Sequence, residues 1–143
     1  MPKKNDIDKI DRKIIQMLTK NARVTVKEIA SEVFLSSPSV CARIAKLERD
    51  GIISGYTVVL NNENLGFQVH AFVQVDVKIM DKEKFFEDIR HNECIINCYN
   101  TAGEYSEMLE VKAENMHGLE KLLAKFQVYG DIKTNIIFSK LQM

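Results

Sequence analysis

One group of residues in this chain has the side-chain types that bind metal. His91, Cys94 and Cys98 occur within a few residues of one another, and imidazole and thiolate groups are the ligands that zinc prefers. Structural zinc sites usually take four protein ligands, and a pair of this spacing normally comes with a second pair. Cys94 and Cys98 fall on one predicted strand, where they share a face with their side chains far apart. We therefore interpret them as buried thiols and expect no metal site.

No other pattern of residues predicts catalysis. The sequence contains no Gly-rich phosphate loop and no nucleophile signature. The remaining histidines, His70 and His117, are expected on a strand face and on a helix surface. The three cysteines are too few, and odd in number, for a disulfide framework, which favours reduced thiols in the cytoplasm. We predict no catalytic residues and no cofactor.

The distribution of charge favours contact with a polyanion at one end of the chain. Residues 1–56 contain 11 Lys and Arg against 7 Asp and Glu, whereas residues 57–143 contain 9 against 13. A basic first third attached to an acidic remainder predicts that only the first part contacts a polyanion. The chain is 45% hydrophobic and 28% charged, as in ordinary globular proteins. No apolar run approaches the roughly 18–20 residues that cross a bilayer, so we expect a cytoplasmic protein that does not bind a membrane.

Two short amphipathic helices are predicted at the start of the basic third. Apolar residues recur at helical spacing between residues 8 and 22. Thr25 can then cap a second helix, and Glu28 stands three residues later, where a capping box requires an acid.

A third helix and a wing are predicted to follow. Ser36 or Ser37 can serve as the N-cap, Pro38 fits the first turn, and Gly51 offers a stop. Residues 52–60 are rich in β-branched side chains around one glycine and predict a small two-stranded wing. Together these elements predict a winged helix-turn-helix.

The third helix has a face suited to double-stranded DNA. If Val40, Ile44 and Leu47 point inward, small and basic side chains point outward, and the first-turn N–H groups can donate to phosphates. The residues predicted to contact DNA are Ser36, Ser37, Ser39, Arg43, Lys46 and Arg49. The sequence does not distinguish whether Arg43 and Lys46 reach bases or phosphates. The same pattern also suits a three-helix bundle with a solvated charged face that binds protein.

After a polar connector the periodicity changes from that of a helix to that of a strand. The predicted order is strand 69–78, helix 81–91, strands 94–101 and 105–113, a helix capped by Asn115, and strand 132–139. This βαββαβ order predicts a ferredoxin-like α+β domain, an antiparallel sheet with two helices on one face. We expect domains at 1–60 and 68–143, joined by a linker at 61–67. Alternation places His70, Phe72 and Gln74 on the uncovered face, which predicts a surface that pairs with another copy.

Three stretches together carry a family resemblance. The stretch LSSPSVCARIAKLERDGIISGYT at residues 35–57 resembles the signature of the leucine-responsive regulatory protein and asparagine-synthesis regulator (Lrp/AsnC) family of transcription factors. DKIDRKIIQML at 8–18, followed by NAR at 21–23, resembles the opening helix of that family, and TAGEY at 101–105 resembles its Gly-acid-aromatic hairpin. The resemblance covers nearly the whole chain. It implies a DNA-binding domain followed by an effector-binding and oligomerisation domain, often called the RAM domain.

The hairpin is the predicted effector site, and the effector is a small molecule such as an amino acid. The turn can supply N–H donors, Glu104 can face an ammonium group, and Tyr105 can pack nearby. The residues assigned to this site are Thr101, Ala102, Gly103, Glu104, Tyr105 and Ser106. Ser106 stands where family members commonly carry an acid, and the last strand reads Thr134-Asn135-Ile136 where the family often has Thr-x-Thr. These departures predict that aliphatic amino acids bind weakly, and that a ligand of different charge or polarity, or none, is preferred.

We therefore predict a sequence-specific transcriptional regulator that responds to an effector. It is expected to form a homodimer that assembles further into a tetramer or octamer and places two N-terminal domains in successive major grooves. One alternative is an architectural protein that wraps DNA with little sequence preference. The other is an enzyme on the same scaffold, since some proteins that resemble this family act in haem precursor decarboxylation.

Overall fold

The computed structural model describes residues 7–141 and residue 143. The chain divides into two compact units, residues 1–59 and 60–143. Among the described residues, the first unit contains three α-helices, and the second contains a four-stranded sheet with two α-helices and a short 3-10 helix, Ile79–Asp81.

Each helix of the first unit begins at a side chain that caps it. These helices are α1 (Lys9–Lys20), α2 (Val26–Val33) and α3 (Ser37–Arg49). Asp8 caps α1 and Thr25 caps α2, both through reciprocal capping boxes, and Ser36 caps α3. The expected N-caps of the second and third helices are confirmed. The three helices enclose one apolar core, whose buried residues are Ile14, Ile29, Ala30, Val33, Val40 and Leu47.

The expected pair of wing strands does not form. Residues 52–60 contain no strand, and Val58 and Val59 are exposed. A strand is stable only when its backbone groups pair with a neighbouring strand. The described residues of this unit include no strand with which residues 52–60 could pair. The segment is instead tied to α3, because the Tyr56 hydroxyl donates to a Glu48 carboxylate oxygen over 2.8 Å.

The second unit has the βαββαβ order that the sequence predicts. Its elements are β1 (Val69–Val75), α4 (Lys82–Arg90), β2 (Ile95–Asn100), β3 (Glu107–Ala113), α5 (Met116–Gln127) and β4 (Ile132–Ile136). The strand order is β2-β3-β1-β4, and every neighbouring pair is antiparallel. Strand β4 ends three residues before the expected end at residue 139. Its partner β1 begins at Val69, so the Ile137 N–H bond to the His70 carbonyl is close to the last pairing that β1 can offer.

Alternation along β1 separates a core face from an open face. Ala71, Val73 and Val75 are fully buried with Phe85 of α4 and Leu119 of α5. The intervening positions of β1, which are 70, 72 and 74, lie on the other face as predicted and are partly exposed. The helices therefore cover one face of the sheet, and the second face is open in the single chain.

Candidate nucleic-acid interface and effector site

The N-terminus of α3 presents hydroxyl groups to solvent. The Ser36 hydroxyl accepts the Ser39 N–H over 3.3 Å and lies 2.8 Å from the Ser39 hydroxyl, and Ser36, Ser37 and Ser39 are all exposed. The first turn contains no acidic residue. Pro38 has no N–H, and the Ser39 N–H donates to Ser36, so the Ser37 N–H and the serine hydroxyls are the donors that remain for an anion. The helix dipole adds a partial positive charge at this end. This end of α3 is therefore suited to bind a phosphate.

The last turn of α3 contributes the basic side chains. Lys46 and Arg49 both lie there, and Arg49 is the more exposed, with 72% of its side chain accessible. Its contact with Asp50 is loose, at 3.9 Å. Ala42 and Ala45 are exposed on the same helix, and their small side chains let a DNA duplex approach the axis of α3 closely.

Arg43 has partners inside the unit. One of its guanidinium nitrogens, Nη1, lies 2.7 Å from a carboxylate oxygen of Asp8 and 2.7 Å from one of Asp11. Hydrogen bonds to Asp11 and then to Asp8 raise the pKa of Arg43. The pKa of Asp8 is lowered, first by the backbone N–H of Asp11 and then by Arg43. The structure thus connects α3 to the first turn of α1 through a residue that the sequence assigned to DNA contact.

Phe34 is a feature of this unit that the sequence analysis missed. It follows α2 in the left-handed conformation, with φ of 56°, and it is 92% exposed. Residues with a bulky side chain rarely adopt this conformation. The pattern of apolar residues does not indicate it, because exposure of a single aromatic side chain has no periodic signature.

A cavity of about 340 Å³ lies beside the hairpin between β2 and β3. Its lining comprises Gln74, Thr101, Ala102, Gly103, Glu104, Tyr105, Met108 and Lys133. Five of the six predicted effector residues therefore meet at one cavity. The Thr101 N–H donates to the Ser106 carbonyl over 2.8 Å, and the Thr101 hydroxyl donates to the Tyr105 carbonyl over 2.7 Å, so the hairpin is closed by its own residues.

Ser106, the sixth predicted effector residue, is not part of this lining. Its hydroxyl accepts the Val77 N–H over 2.9 Å and lies 3.2 Å from the Val77 carbonyl. The side chain therefore connects the hairpin to the end of β1.

Three lining residues were not among those predicted from the sequence. Gln74 is the direct partner of Met108 across one strand pair and of Lys133 across the other. The alternation of β1 places Gln74 on the open face, but the pairing of strands distant in sequence is needed to bring Met108 and Lys133 beside it.

A second cavity, of about 400 Å³, is larger but has a different character. Residues of α4 and of the end of α5 line it, including Lys84, Asp88, Lys125 and Tyr129. The Tyr129 hydroxyl donates to Asp88, which together with burial raises the pKa of Tyr129 to about 12. Two polar side chains of this cavity, Tyr129 and Asp88, are therefore already bonded to each other. None of the predicted site residues line this second cavity.

The residues considered for metal do not form a cluster. Cys94 and Cys98 are partly buried and pack against the core of the second unit. Burial, and then the charge of Glu107, raise the pKa of Cys98 to about 11, which disfavours the thiolate that binds metal. Among residues 7–141 and 143, no three His, Cys, Asp or Glu side chains are placed to share an ion.

The other two histidines lie where the sequence places them. His70, on the strand face, pairs with Glu110 over 2.8 Å, and His117 is exposed on α5. Within the part of the chain that the structure describes, no helix is long and apolar enough to span a membrane.

Comparison with known proteins connects both units to one family. The sequence matches a family described as winged helix-turn-helix DNA-binding over residues 7–54, and the Lrp/AsnC ligand binding domain over residues 70–143. The HTH-type transcriptional regulator LrpC of Bacillus subtilis is 36% identical over 135 residues, which cover 94% of each chain. The solved structure of B. subtilis LrpC has a TM-score of 0.89 at 35% identity and covers 96% of this chain and 99% of its own. A transcriptional regulator of Neisseria meningitidis, solved as a complex with L-Met, has a TM-score of 0.86 at 25% identity, with coverage of 95% and 92%. The chain therefore belongs to the Lrp/AsnC family of DNA-binding transcriptional regulators.

Proposed function

We propose that this regulator binds an operator through α3, which enters the major groove with its N-terminus closest to the DNA. Ser36, Ser37 and Ser39 contact phosphates at the start of the helix, and Lys46 and Arg49 contact DNA along its basic side. The observation that carries this proposal is the exposed serine cap of α3, with three hydroxyl groups, the Ser37 N–H and no acidic residue in the first turn. Phosphate is the anion that such a helix end favours.

Arg43 has a positioning role in this proposal. Its two carboxylate partners hold it against α1, so Nη1 of its guanidinium is occupied before DNA arrives. It then fixes the orientation of α3 against the first turn of α1. Direct reading of a base by Arg43 is the competing assignment, and the two differ in what an Arg43 variant does to stability.

The open face of the sheet is the proposed surface of self-association. Phe72 lies exposed on this face. Glu110 lies on the same face and accepts a hydrogen bond from the Asn97 side chain over 2.8 Å. Burial of such a face between two copies would form a homodimer, which assembles further into a tetramer or octamer. Two copies of α3 would then occupy major grooves about 34 Å apart, one turn of the double helix.

The hairpin cavity is the proposed effector site. Its volume suits a small metabolite, and L-Met is bound by the related N. meningitidis regulator. Glu104 receives the ammonium group of an amino acid, and the hairpin N–H groups receive its carboxylate. Occupancy changes the assembly and hence the affinity for DNA. We place the protein in the cytoplasm, where the DNA that it binds lies.

Selection of bound sequences from random DNA, followed by footprinting, tests this function. The proposal expects two protected segments separated by one helical turn. Arg49→Ala should weaken binding and lower its salt dependence, whereas the matched control Lys125→Ala, on α5 of the other unit, should do neither. Protection that spreads along DNA of any sequence would favour an architectural role instead.

A further inference from the structure

The effector cavity contains two charged side chains without partners. Glu104 comes from the hairpin and Lys133 comes from β4. Neither makes an ion pair or hydrogen bond with any described residue. Both residues are exposed, and each can form a charge-assisted hydrogen bond with a ligand group of opposite charge, so this cavity suits a ligand with both a positive and a negative group.

The hairpin provides a second place for negative charge. Its internal hydrogen bonds use the Thr101 N–H and the Thr101 hydroxyl as donors. The N–H groups of Ala102, Gly103 and Glu104 donate to no described residue. Each of these N–H groups can donate a charge-assisted hydrogen bond to a carboxylate.

The two anion-binding groups lie on different sides of the cavity. Lys133 projects from the open face of the sheet, one strand away from Gln74 and two strands away from Met108. Neighbouring strands lie about 4.8 Å apart, so two strand spacings are about 10 Å. A single carboxylate bound at the hairpin N–H groups therefore leaves Lys133 available for a second anionic group.

We propose that the effector of this regulator is an acidic amino acid, whose side-chain carboxylate pairs with Lys133. The α-carboxylate occupies the hairpin N–H groups, and the ammonium group faces Glu104. Gln74 lies beside Lys133 and can donate an amide N–H to the same side-chain carboxylate. This inference rests on the proposed effector site and adds the chemical class of the ligand.

The same geometry explains why an aliphatic amino acid is a poor ligand. Lys133 is exposed, so beside a leucine side chain its ammonium stays in water and gains no ion pair, whereas a side-chain carboxylate gives it one. The discrimination thus arises at Lys133. Ser106, from which the sequence also predicts weak aliphatic binding, does not line the cavity.

Calorimetry on the full-length protein tests the inference with L-Glu, L-Asp, L-Gln and L-Leu. We expect L-Glu or L-Asp to bind at least about tenfold more tightly than L-Gln or L-Leu. Lys133→Met should remove that preference. The matched control is Lys125→Met, because Lys125 lines the other cavity and its loss should change nothing.

The contrary outcomes are equally specific. Tighter binding of L-Leu or L-Gln, an acidic preference that survives Lys133→Met, or no binding of either acidic amino acid up to about 10 mM would each overturn the inference. DNA affinity measured on the same preparations separates this failure from a failure of the proposed function. A protein that binds its operator but shows no acidic preference refutes only the ligand class.

Discussion

Replacement of Arg43 by alanine distinguishes a positioning role from a base-reading role. The side chain of Asp11 is only 9% exposed, and Arg43 lies 2.7 Å from it and from Asp8. Loss of the guanidinium leaves a nearly buried carboxylate without its cationic partner. Losing the partner of a buried charged group costs about 1–3 kcal/mol, and Arg43 is itself 30% exposed, so we expect about 2 kcal/mol.

Hydrogen–deuterium exchange resolved to individual helices is the appropriate assay. In Arg43→Ala, amides of α1 and α3 should exchange faster by a factor of about 30, while amides of the second unit remain unchanged. Arg49→Ala is the matched control, since it removes an exposed arginine of the same helix. At a temperature where Arg43→Ala is folded, its preference among DNA sequences should equal that of the wild type. Wild-type exchange together with a loss of about 1–3 kcal/mol of discrimination at one base pair would refute the reasoning.

Three further perturbations test other parts of the structure. Phe34→Gly should stabilise the first unit by about 1 kcal/mol in thermal unfolding, because glycine adopts the left-handed conformation without strain and the exposed Phe34 ring contributes almost no burial. An unchanged or lower thermal midpoint would contradict this. Gly130→Ala should destabilise the second unit by about 3 kcal/mol, since the new Cβ would lie 2.0 Å from the Asp76 carbonyl oxygen. The control Gly103→Ala, with open space around the new Cβ, should have little effect. Equal thermal midpoints for the two variants would contradict the argument. The pKa of Asp8 is lowered from its ordinary 3.8, first by the Asp11 N–H and then by the Arg43 guanidinium. The contribution of Asp8 to folding stability is therefore complete above pH 3.8 and is lost as the pH falls through the lowered pKa. An acid unfolding profile that Asp8→Asn leaves unchanged would contradict this.

Local signals in the sequence predicted most of the fold. Thr25 with Glu28, and Ser36 with Pro38, specify helix starts through neighbouring atoms, so residue types alone reveal them. Alternation in β1 likewise distinguishes its buried face from its open face. These features depend on residues a few positions apart.

The features that the sequence missed depend on distant residues. Nothing near Arg43 indicates that two carboxylates of α1 occupy it, because the contacts cross 32 and 35 positions of the chain. Lys133 joins the hairpin cavity only through the pairing of β4 with β1. The side chain of Ser106 faces β1 because backbone groups of Val77 are within reach of its hydroxyl. Such contacts require the tertiary structure.

The central claim, that the N-terminus of α3 meets the phosphates of DNA, is tested most directly by the operator affinity of Ser36→Asp. Aspartate caps a helix as well as serine does and interacts favourably with the helix dipole, so the fold should be unchanged or slightly stabilised. The added negative charge would face phosphate if the claim is correct. We predict a loss of operator affinity of at least about 100-fold at low salt, with an unchanged or slightly raised thermal midpoint. Wild-type affinity in a folded Ser36→Asp protein would contradict the account.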